Sequence, residues 1–317
     1  MSAQPASMRH LRGGGTRPTA AGMRECRGTA SRAIRLAAAV TGAILFVGCR
    51  APASVPPAPS TLPFAADTLR SVQVRDGVLH RFIYSSEGPW AIHVLEASRD
   101  QCWSLAALKS QGGAIGREAT SALAQNAAAG DEIAGAVNAD FFLFTPPGVP
   151  VGMLVTGGRL ITGPVAQPVL AVDSTGAVHI ERFEVRGHAA VTGRRLELTA
   201  WNRDAVAGLA LFDRQWGART DTASGVIEVV LDGAPAYRVI AVDTASAGVA
   251  IPSGGVVLKA GRQAPLANRS ALSALAPGTA VSTVIALDPF HPREAVGGRP
   301  WLVRDGLIAV QLDTVGR

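Results

Sequence analysis

The sequence predicts an α+β fold dominated by β-structure, and three observations support this prediction. Short apolar runs rich in Val, Ile and Leu recur between residues 78 and 287, and turn signals such as Asp232-Gly233 separate them. Only two segments carry the pattern of a helix. The 317 residues are 48% apolar and 17% charged, with 35 Gly and 20 Pro, which is typical of compact, turn-rich proteins rather than disordered ones.

The excess positive charge of the chain is confined to its first 49 residues. Seven Arg and one Glu in that segment account for the whole formal charge of +6, and residues 50–317 hold 23 basic and 23 acidic side chains. A neutral body gives no electrostatic basis for binding nucleic acid or an acidic membrane surface. We therefore expect no nucleic-acid partner.

The arginine-rich start has the pattern of an export signal. Four arginines between residues 24 and 35 precede an apolar run, Leu36–Gly48, which is too short to span a bilayer. The run ends at Leu45-Phe-Val-Gly-Cys49, which resembles a bacterial lipobox, although Phe46 stands where leucine is usual. We expect a leader over residues 1–49 and lipidation of Cys49, which would anchor an exported lipoprotein to the membrane of the bacterial cell envelope.

Two alternatives concern this leader. Export with cleavage nearby would give a periplasmic or secreted protein without a lipid anchor. A start at Met23 would give the leader ordinary signal-peptide proportions, so residues 1–22 are a candidate over-extension of the reading frame.

A Pro/Ala-rich tether is predicted over residues 50–68, followed by a folded domain over residues 69–317. Alternating patterns predict the first strands at Val78–Tyr84 and Trp90–Ala97. The chain is also expected to form a late hairpin about Asp305-Gly306.

Two helices are expected within this domain. The Ala-rich segment Arg117–Ala129 has no helix breaker, and Gly130 is suited to end it. A second, shorter helix is predicted over Arg269–Leu275, with Asn268 as its N-cap.

A polar cluster after a predicted strand is the main candidate site. The apolar run Ile133–Val137 is expected to be a buried strand that ends at Asn138 and Asp140. A Gly/Pro loop and a predicted hairpin about Gly157-Gly158 follow, and glycines allow backbone to approach a ligand closely. Ordinary turn chemistry is the alternative, because Asn, Asp and Gly are also the usual turn residues.

Several short segments, in order, resemble the phosphodiester glycosidase domain family, which includes the catalytic domain of the mannose-6-phosphate uncovering enzyme. The resemblance covers most of residues 77–308. The matching segments are Gly77-Val-Leu-His80, Arg117-Glu-Ala-Thr-Ser121, Val137-Asn-Ala-Asp-Phe-Phe142, Gly148 to Leu160, Trp201-Asn202, Ala210-Leu-Phe212, Trp216-Gly-Ala-Arg-Thr220, Ile251-Pro-Ser-Gly254, Ala295-Val-Gly-Gly-Arg-Pro300 and Val303-Arg-Asp-Gly306.

The resemblance implies an α+β fold with β-rich mixed sheets and hydrolysis of sugar-1-phosphodiesters in the cell envelope. Two family segments, "R-x-P-R-T-A-x-G" and "L-D-G-G-G-S", are missing after the last hairpin. By this comparison the chain corresponds to the N-terminal two thirds of the domain and is incomplete at the C-terminus. A catalytically inactive carbohydrate-binding or scaffolding lipoprotein is therefore the alternative function.

The implied chemistry selects three candidate catalytic residues. A general acid is needed at the bridging oxygen, and an activated water or carboxylate is needed at the anomeric carbon. Asp140 is the first candidate, as acid/base, metal ligand or acceptor for a sugar hydroxyl, and its alternative role is to cap a turn. Asn138 would orient the sugar or Asp140, or satisfy backbone at a strand end. Glu118 would act in the site or interact with a helix dipole.

Four residues are candidates for binding the substrate. Gly152, Gly297 and Gly298 would allow close backbone approach, to a ligand or to another strand. Arg299 would contact the phosphate, or else be a solvated arginine. No cofactor is predicted, and a divalent cation is unsupported because the six His show no metal-ligand spacing. The expected partners are a glycan or sugar-phosphodiester substrate and, through the lipid anchor, the membrane.

Overall fold

A computed structural model describes residues 2–10, 64–98, 101–127, 132–245 and 247–309. Within these ranges the chain is rich in β-structure and has two α-helices, α1 (Thr120–Ala127) and α2 (Leu266–Ser273). Most strand pairs are antiparallel, and one is parallel, so the predicted α+β class with mixed sheets is confirmed at this level.

The strands in chain order are β1 (Ser2–His10), β2 (Thr68–Arg75), β3 (Val78–Ser85), β4 (Trp90–Ala97), β5 (Trp103–Ala107), β6 (Glu132–Phe142), β7 (Leu154–Thr156), β8 (Arg159–Thr162), β9 (Pro168–Val172), β10 (Val178–Arg182), β11 (Glu184–Val191), β12 (Arg194–Leu198), β13 (Ala200–Trp201), β14 (Leu209–Phe212), β15 (Ile227–Asp232), β16 (Tyr237–Asp243), β17 (Val256–Ala260), β18 (Ala280–Asp288), β19 (Glu294–Gly297), β20 (Val303–Arg304) and β21 (Leu307–Ile308).

The chain divides into two compact units, residues 12–102 and residues 1–11 with 103–317. The smaller unit holds the antiparallel sheet β2-β3-β4. Gly77 turns the chain between β2 and β3 with a φ of 70°, a conformation that suits glycine. The predicted strands at Val78–Tyr84 and Trp90–Ala97 are confirmed, and the extent of the predicted tether and domain stays a prediction.

In its described residues the larger unit holds four sheets. Their strand orders are β5-β1-β6, β10-β9-β19-β7-β8, β12-β11-β18-β16-β15-β17-β14-β13 and β20-β21. The predicted hairpins are confirmed in β7–β8, about Gly157-Gly158, and in β20–β21, about Asp305-Gly306. All four of these turn residues have positive φ, as the tight hairpin turns require.

The largest apolar core lies on the eight-stranded sheet. Its strands β15 and β17 are adjacent and buried, so their Val, Ile and Leu side chains form nearly continuous apolar runs. Leu272 of α2 is fully buried in the same core. Two further apolar clusters form around Phe212 with Trp216 and around Met153 with Phe183.

The two helices differ in detail from the prediction. Helix α1 begins at Thr120 rather than Arg117, and the predicted end at Gly130 lies outside the described residues. Helix α2 begins at Leu266, so the prediction of Asn268 as N-cap is wrong. Pro265 precedes the helix, and its carbonyl accepts hydrogen bonds from the Asn268 and Arg269 amides. Neither helix in the described ranges is long and apolar enough to span a bilayer.

The strand that carries Asn138 and Asp140 is longer and more exposed than predicted. Strand β6 runs through both residues to Phe142, so they do not mark its end. Val137 is 57% exposed, and the prediction of a buried run at 133–137 is wrong. The reason is that β6 lies at the edge of the β5-β1-β6 sheet, where fewer neighbours cover it.

Candidate functional site

Asp140 is buried and held by hydrogen bonds. Its side chain is 4% exposed, and its Oδ2 accepts a hydrogen bond from the Gly152 amide at 2.5 Å. Oδ1 accepts one from the Phe141 amide at 2.7 Å, and Gln167 Nε2 lies 3.4 Å from Oδ2. The carboxyl therefore ties β6 to the loop before β7 and to the segment before β9.

The protonation of Asp140 reflects two opposing influences. Burial raises the pKa of its carboxyl, and the hydrogen bonds from Gly152 and Phe141 and the charges of Arg203 and Arg299 lower it; the net direction is upward. A carboxyl of this kind holds its proton to higher pH than a solvated aspartic acid does. That property is compatible with a proton donor.

Arg203 lies close to Asp140 and is held by backbone. Its Nη2 donates to the carbonyls of Gly152 at 2.9 Å and Pro150 at 3.3 Å, and its Nε donates to Gly163 at 3.3 Å. Burial lowers the pKa of this guanidinium, and the Asp140 charge opposes the change. Arg203 is thus a fixed cation beside Asp140.

Arg203 and Gln167 line an open cavity of about 510 Å³, the arginine cavity. Three arginines, Arg182, Arg203 and Arg299, line it together with Gln167 and Trp301. Among the described residues no acidic side chain lines the cavity, and Asp140 lies behind its wall, in contact with Gln167. Guanidinium groups bind phosphate and carboxylate oxygens well, so this arrangement suits an anionic ligand.

Two of the three predicted glycines pack against Asp140. A Cβ on Gly152 would lie 2.6 Å from Asp140 Oδ2 and 2.9 Å from the Cα of Gly297. A Cβ on Gly297 would meet the same carboxylate and lie 2.8 Å from the Cα of Gly152. Both positions need glycine because β19 and the loop before β7 approach closely there. A Cβ on Gly298 would have no atom within 4 Å, and the Gly298 amide donates to the Pro168 carbonyl.

The adjacent glycines give a matched test of this packing. We expect Gly297→Ala to lower the free energy of unfolding by about 1–3 kcal/mol, because the added methyl displaces Asp140 or Gln167. Gly298→Ala should change it by less than about 0.5 kcal/mol, because its methyl enters open space. Urea unfolding of both variants measures the difference. Equal stabilities would show that the contact between Asp140 and Gly297 is not close.

The other two predicted catalytic residues make contacts elsewhere. Asn138 is exposed, and its Oδ1 accepts a hydrogen bond from the Thr120 hydroxyl of α1 at 2.5 Å. Glu118 is exposed, and its Oε1 accepts one from Asn126 Nδ2 at 2.6 Å. Neither residue lines the arginine cavity. The Asn138 contact joins α1 to β6, and the Glu118 contact joins the segment before α1 to Asn126 within that helix. The predicted site roles of both residues stay predictions.

Of the predicted site residues, the structure brings together Asp140, Gly152, Gly297 and Arg299. Cys49 lies outside the described residues. Sequence reasoning missed Arg182, Arg203 and Gln167. Arg203 directly follows the Trp201-Asn202 segment, which is a weak signal; the other two residues have none, because they meet the site only through the pairing of distant strands.

Within the described part of the chain, no group of three or more His, Cys, Asp or Glu side chains is arranged to hold a metal ion. The cations that surround the cavity are arginines. The arrangement therefore suits an anionic ligand, and the Asp140 carboxyl, whose pKa is raised, contacts the cavity-lining Gln167.

Comparison with known proteins gives a similarity of fold. The chain matches no protein-family model and no curated protein. It is similar to the crystal structure of a hypothetical protein from Synechocystis, with a TM-score of 0.59 and 18% sequence identity. The match covers 78% of this chain and 47% of that one, so the chain spans about half the length of its structural relative. The phosphodiester glycosidase resemblance stays a prediction from the sequence.

Proposed function

We propose that this chain belongs to an exported hydrolase that cleaves glycosyl phosphodiesters at the arginine cavity. The ordered sequence motifs motivate the reaction. The observation that carries the assignment of the site is the convergence of Arg182, Arg203 and Arg299 on one cavity with Asp140 behind its wall. A phosphodiester supplies the anion that such a cavity is suited to hold.

In the proposed reaction the bond between the anomeric carbon and the bridging oxygen breaks. Water adds to the anomeric carbon and loses a proton, and the bridging oxygen leaves on a phosphomonoester. Arginine side chains stabilise the charge that develops on this leaving group. Asp140 contacts the cavity-lining Gln167 and is the proposed proton donor to the leaving oxygen, which it can reach once the Gln167 amide, the donor in that contact, moves aside.

The second candidate function is binding of an anionic glycan without turnover. One observation favours it: Asp140 does not line the cavity, and backbone amides already occupy both of its oxygens. A carboxyl used in this way would brace the cavity wall rather than transfer a proton.

Export and lipid anchoring remain part of the proposal. They rest on the leader-like pattern of residues 1–49 and its Cys49. Mass spectrometry of the membrane fraction should find Cys49 acylated at a new N-terminus; an unmodified Cys49 within an uncut chain would contradict the proposal.

The test of turnover uses the purified 317-residue chain in ¹⁸O-labelled water. The substrates are the methyl and glycerol phosphodiesters of N-acetylglucosamine 1-phosphate. We expect free sugar that carries the label at C1, together with an unlabelled phosphomonoester, because the C–O bond is the one that breaks. Arg299→Gln should lower kcat/KM by about tenfold or more, since it removes one charged contact to phosphate.

The matched control is Arg194→Gln, which removes the same charge from an exposed position of β12 outside the cavity and should leave the rate unchanged. Label in the phosphate would mean cleavage at phosphorus and would contradict the proposed reaction. Binding of the esters with no product from either would support the second candidate function.

A further inference from the structure

The arginine cavity contains, in Arg182, a cation beyond those that contact a simple phosphodiester in the proposed reaction. Arg182 is the last residue of β10, and its guanidinium carbon lies 5.2 Å from the centre of the Trp301 ring. Among the residues that the structure describes, Arg182 forms no ion pair with a carboxylate. Its charge is therefore available to a ligand.

Arg203 differs from Arg182 in how its guanidinium is used. Its N–H groups donate to three backbone carbonyls and its charge is coupled to Asp140. Arg182 is instead exposed and is stacked against an aromatic ring that also faces Arg304, at 4.6 Å. Stacking on tryptophan holds a guanidinium in place without consuming its charge. The two arginines thus offer two cations of different character to one ligand.

A ligand that carries a single negative charge complements this cavity poorly. Three guanidinium groups line it, and the Asp140 carboxyl, which contacts Gln167, does not. The Asp140 charge interacts with Arg203 and Arg299, whereas Arg182 forms no ion pair among the described residues, so a singly charged ligand leaves the Arg182 charge unmatched. A second anionic group on the ligand would provide a counter-charge for Arg182.

We propose that the substrates of this site are dianionic glycosyl diesters, in which Arg182, positioned by Trp301, binds a second anionic group beyond the phosphate that is attached to the sugar. The inference rests on the proposed function for the identity of the sugar ester, and on the geometry of Arg182 and Trp301 for the second charge. The shared chemistry is an anion next to the glycosyl phosphate. A pyrophosphate linkage supplies it directly, and a carboxylate on the alcohol part supplies it at a greater distance.

Three ligands that lack the glycosidic oxygen distinguish a pyrophosphate from a carboxylate as the second anionic group. All are C-glycosyl phosphonates of N-acetylglucosamine, with CH₂ in place of the glycosidic oxygen. The first is a phosphonate methyl ester with one charge, the second is its pyrophosphate homologue, also a methyl ester, with two charges, and the third is the phosphonate ester of glycerate, whose carboxylate adds the second charge. Isothermal titration calorimetry gives Kd for each without any need for turnover.

We expect the chain to bind at least one of the two dianionic ligands about tenfold or more tightly than the monoanionic one, as a charge-assisted contact to guanidinium provides. Preference for the second ligand identifies a pyrophosphate, and preference for the third identifies a carboxylate. In Arg182→Gln the ratio of dissociation constants should fall to about one, whereas Arg194→Gln, on exposed β12, should keep the wild-type ratio.

Trp301 serves as a positioning residue and has its own readout. Trp301→Ala should reduce the ratio because it releases Arg182, and Trp301→Phe should restore most of it because a smaller ring still stacks. Equal affinity of the wild-type chain for all three ligands, or an unchanged ratio in Arg182→Gln, would overturn the proposal. A preserved preference without hydrolysis of the oxygen esters would refute the proposed function and leave the second anion site standing.

Discussion

Asp140→Asn is expected to lower kcat/KM for a glycosyl phosphodiester by about 10²- to 10⁴-fold, the usual contribution of a general acid or base. The substitution removes the proton that the carboxyl would give to the leaving oxygen. It also turns an NH₂ group toward one of the two amides, Phe141 or Gly152, that now donate to Asp140. That mismatch should cost about 1–3 kcal/mol of stability.

A matched control separates the chemical effect from the structural one. Asp213 is another carboxyl whose pKa is raised by burial, and its Oδ1 accepts hydrogen bonds from Asn202 Nδ2 and from the Gln215 amide. It does not line the arginine cavity. Asp213→Asn should therefore lose stability to a similar extent and keep the kcat/KM of the folded protein. Full activity in Asp140→Asn would exclude Asp140 as the acid.

The pH dependence follows from the direction of the Asp140 shift. If the protonated carboxyl is the acid, kcat/KM falls as pH rises through the raised pKa, and Asp140→Asn loses that limb of the profile. The same shift affects folding. Because the folded pKa lies above the unfolded value, the stability that the bound proton contributes is fully present below about pH 3.8 and is lost as pH rises through the folded pKa.

Lys259→Met is expected to lower the free energy of unfolding by about 3–5 kcal/mol, because it leaves a buried carboxylate without its counter-charge. Lys259 and Glu228 face each other across β17 and β15, and they are 2% and 0% exposed. The lysine Nζ lies 3.0 Å from Asp204 Oδ1 and 3.9 Å from Glu228 Oε1. Chemical unfolding with urea at constant pH measures the loss.

Adding Glu228→Gln to Lys259→Met is the control for the stability loss caused by the unpaired Glu228 carboxylate. Burial raises the pKa of Glu228, and Lys259 opposes the shift, so the single variant Lys259→Met should become less stable as pH rises through the raised pKa. The double variant Lys259→Met/Glu228→Gln removes the buried charge and should recover most of the loss. A double variant no more stable than Lys259→Met would assign the effect to packing of the lysine stem instead.

Local sequence patterns predicted the strands and turns of this fold better than they predicted how far individual residues are exposed. The turn pairs Gly157-Gly158 and Asp305-Gly306 were sufficient to place two hairpins, because positive φ at both residues is a local requirement. The exposure of Val137 could not be predicted, since it depends on where β6 stands in its sheet. Likewise, Asn268 has a side chain suited to capping a helix, but the first helical turn already begins after Pro265, so Asn268 lies inside α2.

The candidate site shows the same division. Asp140 and Gly152 lie in one short stretch of sequence, and Gly297 belongs to the pair Gly297-Gly298. Residue type and order were therefore enough to select them. Arg203 and Gln167 join them only because the segments before β9 and after β13 meet the loop before β7. Contacts of that kind depend on the pairing of strands far apart in the chain, and no local pattern encodes them.

The position of β1 means that removal of the proposed leader would change a sheet of the fold. Ser2–His10 pairs on one side with β5 and on the other with β6, and it lies within the segment that the proposed cleavage at Cys49 would remove. Its departure would leave two facing rows of backbone donors and acceptors separated by a gap about 10 Å wide, twice the strand spacing. If the chain is cut after folding, β1 could stay bound between β5 and β6 through its hydrogen bonds. If the chain is cut before folding, β5 and β6 would fold without the strand between them. Intact-mass measurement of the native protein, with and without denaturant, would tell a two-piece sheet from a gapped one.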